Sequence, residues 1–263
     1  MHISNYMTTI ILKGHKEKWV MNKLSNRTFA AYAKVMADIK DKPIPKISAT
    51  DQIYFEHDFK QPCKINSVIN IDLKSAYAAI LYRDRYISKE TYDYLCNCQK
   101  RERLAGVGMI AKKSTIYYVE NGVAVNSVPV VSPTAGIFFY AVKKTYEIMS
   151  LLKKHCGENY LFTWADGIYF LPDDKIVGKC IKELKNHDFD FHVDYLKDFD
   201  VQLFRRRFVI TFEKKNGHNE FESKMFQLPL NKSNHKKSII EAFNNFKKSK
   251  NETGKGKISY REG

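Results

Sequence analysis

Two apolar, β-branched parts of the sequence each lead to an aspartate, and this pattern constrains the fold more than any other feature. Residues 64–71 are typical of a buried strand and run directly into Asp72. Residues 160–165 and 168–171 are typical of two paired strands around Asp166 and the glycine that follows it. Buried strands hold a side chain rigidly at the edge of a sheet. The sequence therefore predicts an α+β protein with two aspartates at neighbouring strand ends.

Helical patterns separate these strands. A helix is predicted to begin after Ser25 and to end before Pro43. Ser132 followed by Pro133 is a typical helix start, and the apolar stripe behind it should face the core. Further helices are predicted at 75–86, 88–104, 175–184 and 238–248, and further strands at 8–12, 115–120, 123–131 and 201–212. This order predicts an antiparallel sheet backed by helices.

The charge of the chain predicts the class of its partner. Lys and Arg number 44 against 29 Asp and Glu, which gives a formal net charge of +15. With 44% apolar residues the chain can bury a core, which excludes a disordered or fibrous protein. The charge favours a polyanion as partner, although an acidic membrane surface or a ribosome-like assembly would attract it as well. Charge alone therefore indicates no chemistry.

The cysteines and the hydropathy give weaker indications. Only Cys96 and Cys98 of the five cysteines lie close together, without a matching pair nearby, so small half-buried side chains are expected there rather than a zinc site. No apolar run approaches the roughly 18 residues that a membrane span needs. We therefore expect a cytoplasmic protein, in a bacterial or host cell, that does not bind a membrane.

The two aspartates together suggest metal-dependent chemistry. A carboxylate where a buried strand ends, with the adjacent backbone carbonyl, suits a hard cation such as Mg²⁺. Two such carboxylates meet the need of two-metal phosphoryl transfer, in which cations about 4 Å apart bridge the attacking and leaving oxygens. Taken singly, Asp72 could simply start a helix, and Asp166 with Gly167 could be only a turn.

The order of these motifs resembles the palm of a family B DNA polymerase, in a minimal form typical of phages or mobile elements. The segment beginning Asp-Leu-x-Ser-x-Tyr at Asp72 is similar to the family's first palm motif, although Ala78 and Ala79 replace its Pro-Ser. The resemblance implies that Asp72 binds both metals and that Leu73 lends a backbone carbonyl. It also implies that Ser75 and Tyr77 belong to the nucleotide site, where the tyrosine packs under the sugar and excludes a 2′-hydroxyl. An ordinary core tyrosine is the alternative for Tyr77.

The family's second motif, Lys-x-x-x-Asn-Ser-x-Tyr-Gly on a fingers helix, is matched only at its ends. With Gly108 as the anchor, Lys100 takes the position of the lysine that reaches the incoming triphosphate. Arg103 lies near the same helix face and could meet the same phosphates. The other motif positions differ, with Leu104, Ala105 and Val107 in place of Asn, Ser and Tyr. A solvated basic helix end is the alternative explanation.

Two later elements complete the resemblance. Asp166 matches the second aspartate of the family's Tyr-x-Asp-Thr-Asp-Ser motif, which binds both metals, whereas Trp164 replaces the first. Arg205, Arg206 and Arg207, between two phenylalanines, resemble the Lys-Lys-x-Tyr element that grips the primer strand. Alternation along a strand would place Arg206 on the opposite face from its neighbours. A charged edge strand is the alternative.

The resemblance implies a three-part organisation. Residues 1–63 form an N-terminal α/β segment, 64–215 a palm with a short helical fingers insertion at about 82–108, and 216–263 a small basic thumb-like tail. No exonuclease motif precedes Asp72. The implied activity is template-directed nucleotidyl transfer from deoxynucleoside triphosphates to a DNA primer-template. It would use two Mg²⁺ ions, or Mn²⁺ in their place, with or without another replication protein that supplies missing domains.

Two alternatives stay open on the sequence. The chain could be a catalytically inactive, polymerase-derived nucleic-acid-binding subunit of a replication assembly, as the substitutions at Leu104 and Trp164 suggest. A two-metal nuclease is the second alternative, although it would need more acidic ligands than the sequence supplies.

Overall fold

The chain divides into two compact units in this computed structural model. The first unit combines 1–53 with 75–148, and the second combines 54–74 with 149–263. These boundaries differ from those of the three predicted segments. The structure describes residues 7–12, 18–22, 25–47, 55–57, 61–120, 123–204, 207–215, 219–226 and 256–260.

The described residues form strands and helices in mixed order, so the protein is α+β, as predicted. The strands are β1 (Met7–Leu12), β2 (Lys18–Asn22), β3 (Phe55–His57), β4 (Cys63–Leu73), β5 (Lys113–Glu120), β6 (Val123–Val131), β7 (Tyr160–Trp164), β8 (Gly167–Phe170), β9 (Phe191–Phe204), β10 (Arg207–Lys215), β11 (Asn219–Phe226) and β12 (Gly256–Tyr260). The helices are α1 (Asn26–Ile39), α2 (Ala76–Arg83), α3 (Lys89–Asn97), α4 (Lys100–Gly108), α5 (Ala135–Cys156) and α6 (Asp174–Asn186).

The first unit contains a four-stranded sheet and most of the helices. Its strand order is β2-β1-β5-β6, antiparallel except for the parallel pair β1 and β5. The helix α1 begins as predicted, because the Ser25 side chain accepts a hydrogen bond from the Thr28 N–H at 3.2 Å. The helix α5 begins at Ala135, slightly later than predicted, because residues 133 and 134 form a turn closed by the Ala135 N–H and the Ser132 carbonyl at 3.0 Å.

The predicted single helix at 88–104 is wrong, because the chain breaks it into α3 and α4. Cys98 adopts an extended backbone with ψ 153°, and Gln99 then caps α4 with ψ 147°. The Gln99 N–H is itself satisfied by the carboxylate of Glu102, in a capping-box arrangement. The basic residues from Lys100 onward therefore occupy the first turn of a helix rather than the C-terminal half of a longer one.

The second unit is built on an eight-stranded sheet with the order β12-β11-β10-β9-β4-β8-β7-β3. Its middle four strands, β9-β4-β8-β7, are antiparallel. If these four strands are numbered in chain order as β4, β7, β8 and β9, their order across the sheet is fourth, first, third, second. This is the order of a split β-α-β arrangement, with the first strand, β4, held between two neighbours.

An apolar cluster fixes the middle of this sheet. Phe162 of β7 stacks on Tyr169 of β8, with ring centroids 4.1 Å apart and an interplanar angle of 12°. The cluster comprises Val68, Phe162, Tyr169, Leu196, Phe199 and Val201, all of them buried. Because all four central strands contribute to it, the ends of β4 and of the β7–β8 hairpin are held in one register.

The strand structure predicted for 201–212 is present as the end of β9 and the start of β10, which are antiparallel, with Phe204 paired to Arg207. In the tail predicted to be thumb-like, β11 and β12 extend the same sheet, whereas the predicted helix at 238–248 lies outside the described residues. No helix in the described part of the chain has the length and hydropathy to cross a membrane.

Candidate active site

Asp72 belongs to a strand, not to a helix start. It is the penultimate residue of β4 and is half-buried. The helix that follows begins at Ala76, and its N-cap position is Ser75, which adopts a left-handed backbone with φ 54° and makes no side-chain cap. The alternative explanation of Asp72 as a helix N-cap is therefore excluded. The strand presents the carboxylate at the end of the sheet.

Asp166 lies in the tight turn between β7 and β8. Trp164 pairs with Gly167, which leaves Ala165 and Asp166 as the two turn residues. The predicted turn at Asp166 and Gly167 is thus displaced by one residue. Ala165 takes the positive φ of 52°, which is unusual for a residue with a side chain.

The backbone brings Asp72 next to the hairpin turn that carries Asp166. Asp72 pairs in register with Gly167, the residue after Asp166. The Leu73 N–H donates a hydrogen bond to the Asp166 carbonyl at 2.9 Å, which ties the end of β4 to the hairpin turn. The Lys74 N–H donates to the carbonyl of Asp190 at 2.8 Å, just before β9. The end of β4 is therefore held from both sides.

Gly167 leaves a space that two side-chain oxygens approach. A Cβ at this glycine would lie 2.9 Å from Asp72 Oδ1 and 3.3 Å from Asn70 Oδ1. Asn70 is only 5% exposed, and its Oδ1 has no hydrogen-bond partner among the described residues. Sequence reasoning missed Asn70. The available signal was its position two residues before Asp72, which places both side chains on one face of the strand.

The neighbouring strand β9 adds two further polar residues to this face. His192 pairs with Asp72, and Asp194 pairs with Asn70. Directly opposed residues of an antiparallel pair point to the same face of the sheet. Sequence reasoning missed these residues too, because the pairing of β4 with β9 joins segments far apart in the sequence. The face that carries Asn70 and Asp72 therefore carries His192 and Asp194 as well.

The donor set suits a hard cation that keeps part of its water shell. Among the described residues, no group of three or more His, Cys, Asp or Glu is arranged to hold a metal ion. Mg²⁺ is commonly held by only one or two carboxylates, with water and substrate oxygens completing an octahedron. The carboxylates of Asp72 and Asp166, and the buried amide oxygen of Asn70, fit that requirement.

The predicted nucleotide-site residues lie in the first unit. Tyr77 is half-buried on α2 and meets Phe138 edge-on, with ring centroids 5.5 Å apart. Lys100 is exposed and Arg103 is half-buried, both in the first turn of α4, and Arg103 Nη1 donates to the Cys98 carbonyl at 3.4 Å. Both cations lie at the positive end of the α4 dipole rather than at a C-terminal helix end, and the exposure of Lys100 is compatible with the alternative of a solvated basic helix end.

The predicted primer-binding arginines are only partly placed. Arg207 is the first residue of β10 and pairs with Phe204. Arg205 and Arg206 lie outside the described residues.

A basic cleft of about 540 Å³ also lies in the first unit. Its lining carries four cationic side chains and one carboxylate, Asp38, together with Tyr82. Burial opposes ionisation of Asp38, but hydrogen bonds from Ser88 and Thr91 bring its pKa below the ordinary value. Tyr82 stacks on Tyr92 with centroids 4.8 Å apart. Two of the four cations are already paired with carboxylates, Arg83 with Asp84 at 2.9 Å and Lys89 with Asp93 at 2.5 Å, which reduces the net positive charge of the cleft.

The chain matches no protein-family model, and no curated protein is similar enough to it to indicate a relative.

Proposed function

We propose that the protein is a template-directed nucleotidyltransferase, a minimal DNA polymerase with a family B-like palm. One observation carries this proposal. Asp72 at the end of β4 pairs with the residue after Asp166, at one end of an antiparallel sheet ordered β9-β4-β8-β7. The two carboxylates stand on backbone that is joined by a 2.9 Å hydrogen bond. Two-metal phosphoryl transfer requires a pair of carboxylates held in this way.

The second unit supplies the metal-binding groups. Asp72 and Asp166 would hold two Mg²⁺ ions, or Mn²⁺ in their place, with the backbone carbonyl of Leu73 as a further ligand. When bound, such ions favour ionisation of a primer 3′-hydroxyl and neutralise charge on the phosphates. The protein's own contribution is rigidity, because the apolar strands fix both carboxylates before substrate arrives.

The resemblance assigns further residues to the substrates. It assigns Ser75 and Tyr77 to the sugar of the deoxynucleotide, and Lys100 with Arg103 to its triphosphate. The position of these cations supports the assignment, because their charge adds to the positive end of a helix dipole and increases the attraction for a phosphate. The arginine run 205–207 would hold primer phosphates.

Primer extension tests the proposal. The purified chain should extend a primed DNA template with Mg²⁺ and deoxynucleotides, whereas the Asp72→Asn and Asp166→Asn variants should bind DNA and fail to extend it. Asp188→Asn is a matched control, because it makes the same chemical change at an exposed residue whose φ of 55° asparagine tolerates well. The proposal fails if the wild-type chain binds DNA but extends no primer with any nucleotide or added partner.

The second candidate function is a polymerase-derived protein that binds nucleic acid without catalysis. Trp164 favours it, since this residue occupies the position of a family carboxylate on the strand just before the turn. Divalent-metal binding separates the two functions. A polymerase should bind Mn²⁺ in a manner that depends on Asp72, whereas an inactive relative need not bind it. Cleavage of the primer instead of extension would indicate the nuclease alternative.

A further inference from the structure

We infer that Asn70 is an oxygen ligand of the cation held by Asp72, so that the metal site consists of a buried amide as well as carboxylates. This inference rests on the metal site of the proposed function and adds to it a residue outside the resembling motifs. The motif match begins at Asp72, and nothing in it assigns a role to the residue two positions earlier.

The first argument is the state of the Asn70 side chain. It is 5% exposed, and its Oδ1 lacks a hydrogen-bond partner among the described residues. Buried amide oxygens are nearly always satisfied, because losing their contact with water is costly. An exception inside a well-packed sheet indicates a partner that is not a protein group, such as an ion or a water molecule.

The second argument is the direction of this oxygen. Asn70 Oδ1 and Asp72 Oδ1 both approach the space where Gly167 lacks a side chain, at 3.3 Å and 2.9 Å from the Cβ position. Any residue other than glycine would fill that space. The two oxygens therefore converge on one place beside the hairpin turn that carries Asp166.

The third argument is the chemistry of the neighbours on the same face. Asp72 lies on the same strand, and Asp194 pairs with Asn70 on β9. Ionised carboxylates only accept hydrogen bonds, so neither can satisfy the amide oxygen. A hard divalent cation binds several oxygen acceptors at once, and asparagine oxygens are among its ordinary ligands. The shared partner that fits these groups is Mg²⁺ or Mn²⁺.

The test is a titration of the full chain with Mn²⁺ in the absence of nucleic acid. The electron paramagnetic resonance signal of free Mn²⁺ measures how much of the ion stays unbound. Asn70→Leu keeps the approximate shape and removes the oxygen, and it should weaken Mn²⁺ binding about tenfold or more, which is typical for the loss of a group that supports a metal. Asn186→Leu at the exposed end of α6 is the matched control and should bind as the wild type does. Wild-type affinity in Asn70→Leu would overturn the inference and leave a buried water as the partner.

A second variant decides the matter if Asn70→Leu does not fold. Asn70→Asp adds a negative oxygen beside Asp72, so it should destabilise the metal-free protein and bind Mn²⁺ at least as tightly as the wild type. Its unfolding temperature should then rise more with added Mn²⁺ than that of the wild type. If Mn²⁺ does not restore the stability of Asn70→Asp, Asn70 is not a ligand.

The outcomes separate this inference from the proposed function. If Asp72→Asn abolishes extension while Asn70→Leu keeps the wild-type Mn²⁺ affinity, the polymerase proposal stands and the inference fails. If Mn²⁺ binding depends on both residues but no extension occurs, the ligand assignment stands and the polymerase proposal fails.

Discussion

Asp72 Oδ1 lies 2.9 Å from the point where a Cβ on Gly167 would stand, so the carboxylate occupies the space that a side chain on β8 would take. This close approach explains why residue 167 is a glycine better than the backbone of the turn does. Gly167 is the first residue of β8, and the positive φ of the turn belongs to Ala165. The sequence therefore needs glycine at this position because Asp72 approaches the strand.

Gly167→Ala should displace the carboxylate and impair the site. Because the new methyl group would also lie 3.3 Å from Asn70 Oδ1, we expect Mn²⁺ affinity and primer extension to fall about tenfold or more. Crowding of this kind should lower the free energy of unfolding by about 1–3 kcal/mol. Urea unfolding and Mn²⁺ titration measure the two effects separately.

The control for this substitution is Gly178→Ala on the exposed side of α6. A Cβ there would meet nothing within 4 Å, so the free energy of unfolding should rise by about 0.4–1 kcal/mol. If Gly167→Ala binds Mn²⁺ and extends primers as the control does, Asp72 has no role at a metal site.

Gly106→Ala should destabilise the first unit. A Cβ at Gly106 of α4 would lie 2.6 Å from the Cβ of Ala31 on α1, too close for two carbon atoms, so the helices would have to separate. We expect a loss of about 1–3 kcal/mol in the free energy of unfolding. Gly108→Ala, on the same helix with open space around it, should be neutral or slightly stabilising. Equal unfolding curves for the two variants would contradict this account of the α1–α4 contact.

The Gly108→Ala variant also tests the resemblance to the family's second motif in α4. Gly108 takes a helical φ of −63° and has no close neighbour, so packing does not require a glycine at the position that anchors the second motif. Loss of primer extension in a folded Gly108→Ala variant would therefore indicate a functional need for glycine. Unchanged extension would remove the anchor on which the assignment of Lys100 depends.

Local patterns predicted the elements that position the site. The apolar run before Asp72 is β4, and Ser25 caps α1 as expected, since strand alternation and capping depend on residues close in sequence. Pairing does not. The contact of β4 with β9 and the antiparallel pairing of β9 with β10 depend on how the whole sheet assembles.

Residues close in sequence also could not predict that Asn70 Oδ1 lacks a hydrogen-bond partner among the described residues. An asparagine in an apolar run can be satisfied by any donor that the fold brings near, and only the assembled sheet shows that Asp194 stands opposite it. The break before α4, in contrast, had a local signal that was missed. Gln99 and Glu102 satisfy each other's backbone groups, which favours a new helix start over continuation of α3.

The ionisation of Tyr140 makes a pH-dependent contribution to stability. Burial and the 2.8 Å hydrogen bond that its hydroxyl donates to Asp84 raise the pKa of Tyr140 to about 12. The unfolded chain should ionise this group near pH 10, so its stabilising contribution is complete below about pH 10 and is lost as the pH rises towards 12. The difference in tyrosinate absorbance between the wild type and Tyr140→Phe should show a group that titrates near the upper end of this range.

Asp84→Asn supplies the control for Tyr140. It removes the negative charge beside the hydroxyl while keeping the shape of the side chain, so the pKa of Tyr140 should move down towards 10. An ordinary tyrosine titration in the wild-type difference spectrum would show that the hydroxyl does not meet Asp84.

Lys100→Gln should weaken nucleotide binding without weakening the fold. Lys100 is the first residue of α4, where a positive charge is unfavourable for the helix dipole, so its removal should leave the free energy of unfolding unchanged or raise it by about 0.3–1 kcal/mol. If the lysine meets a triphosphate, loss of one charge-assisted contact should raise the Kd for a deoxynucleoside triphosphate about tenfold. Lys175→Gln makes the same change in the first turn of α6 and should leave that Kd unaltered. An equal Kd in both variants, measured by calorimetry, would assign Lys100 to the solvated surface and remove it from the nucleotide site.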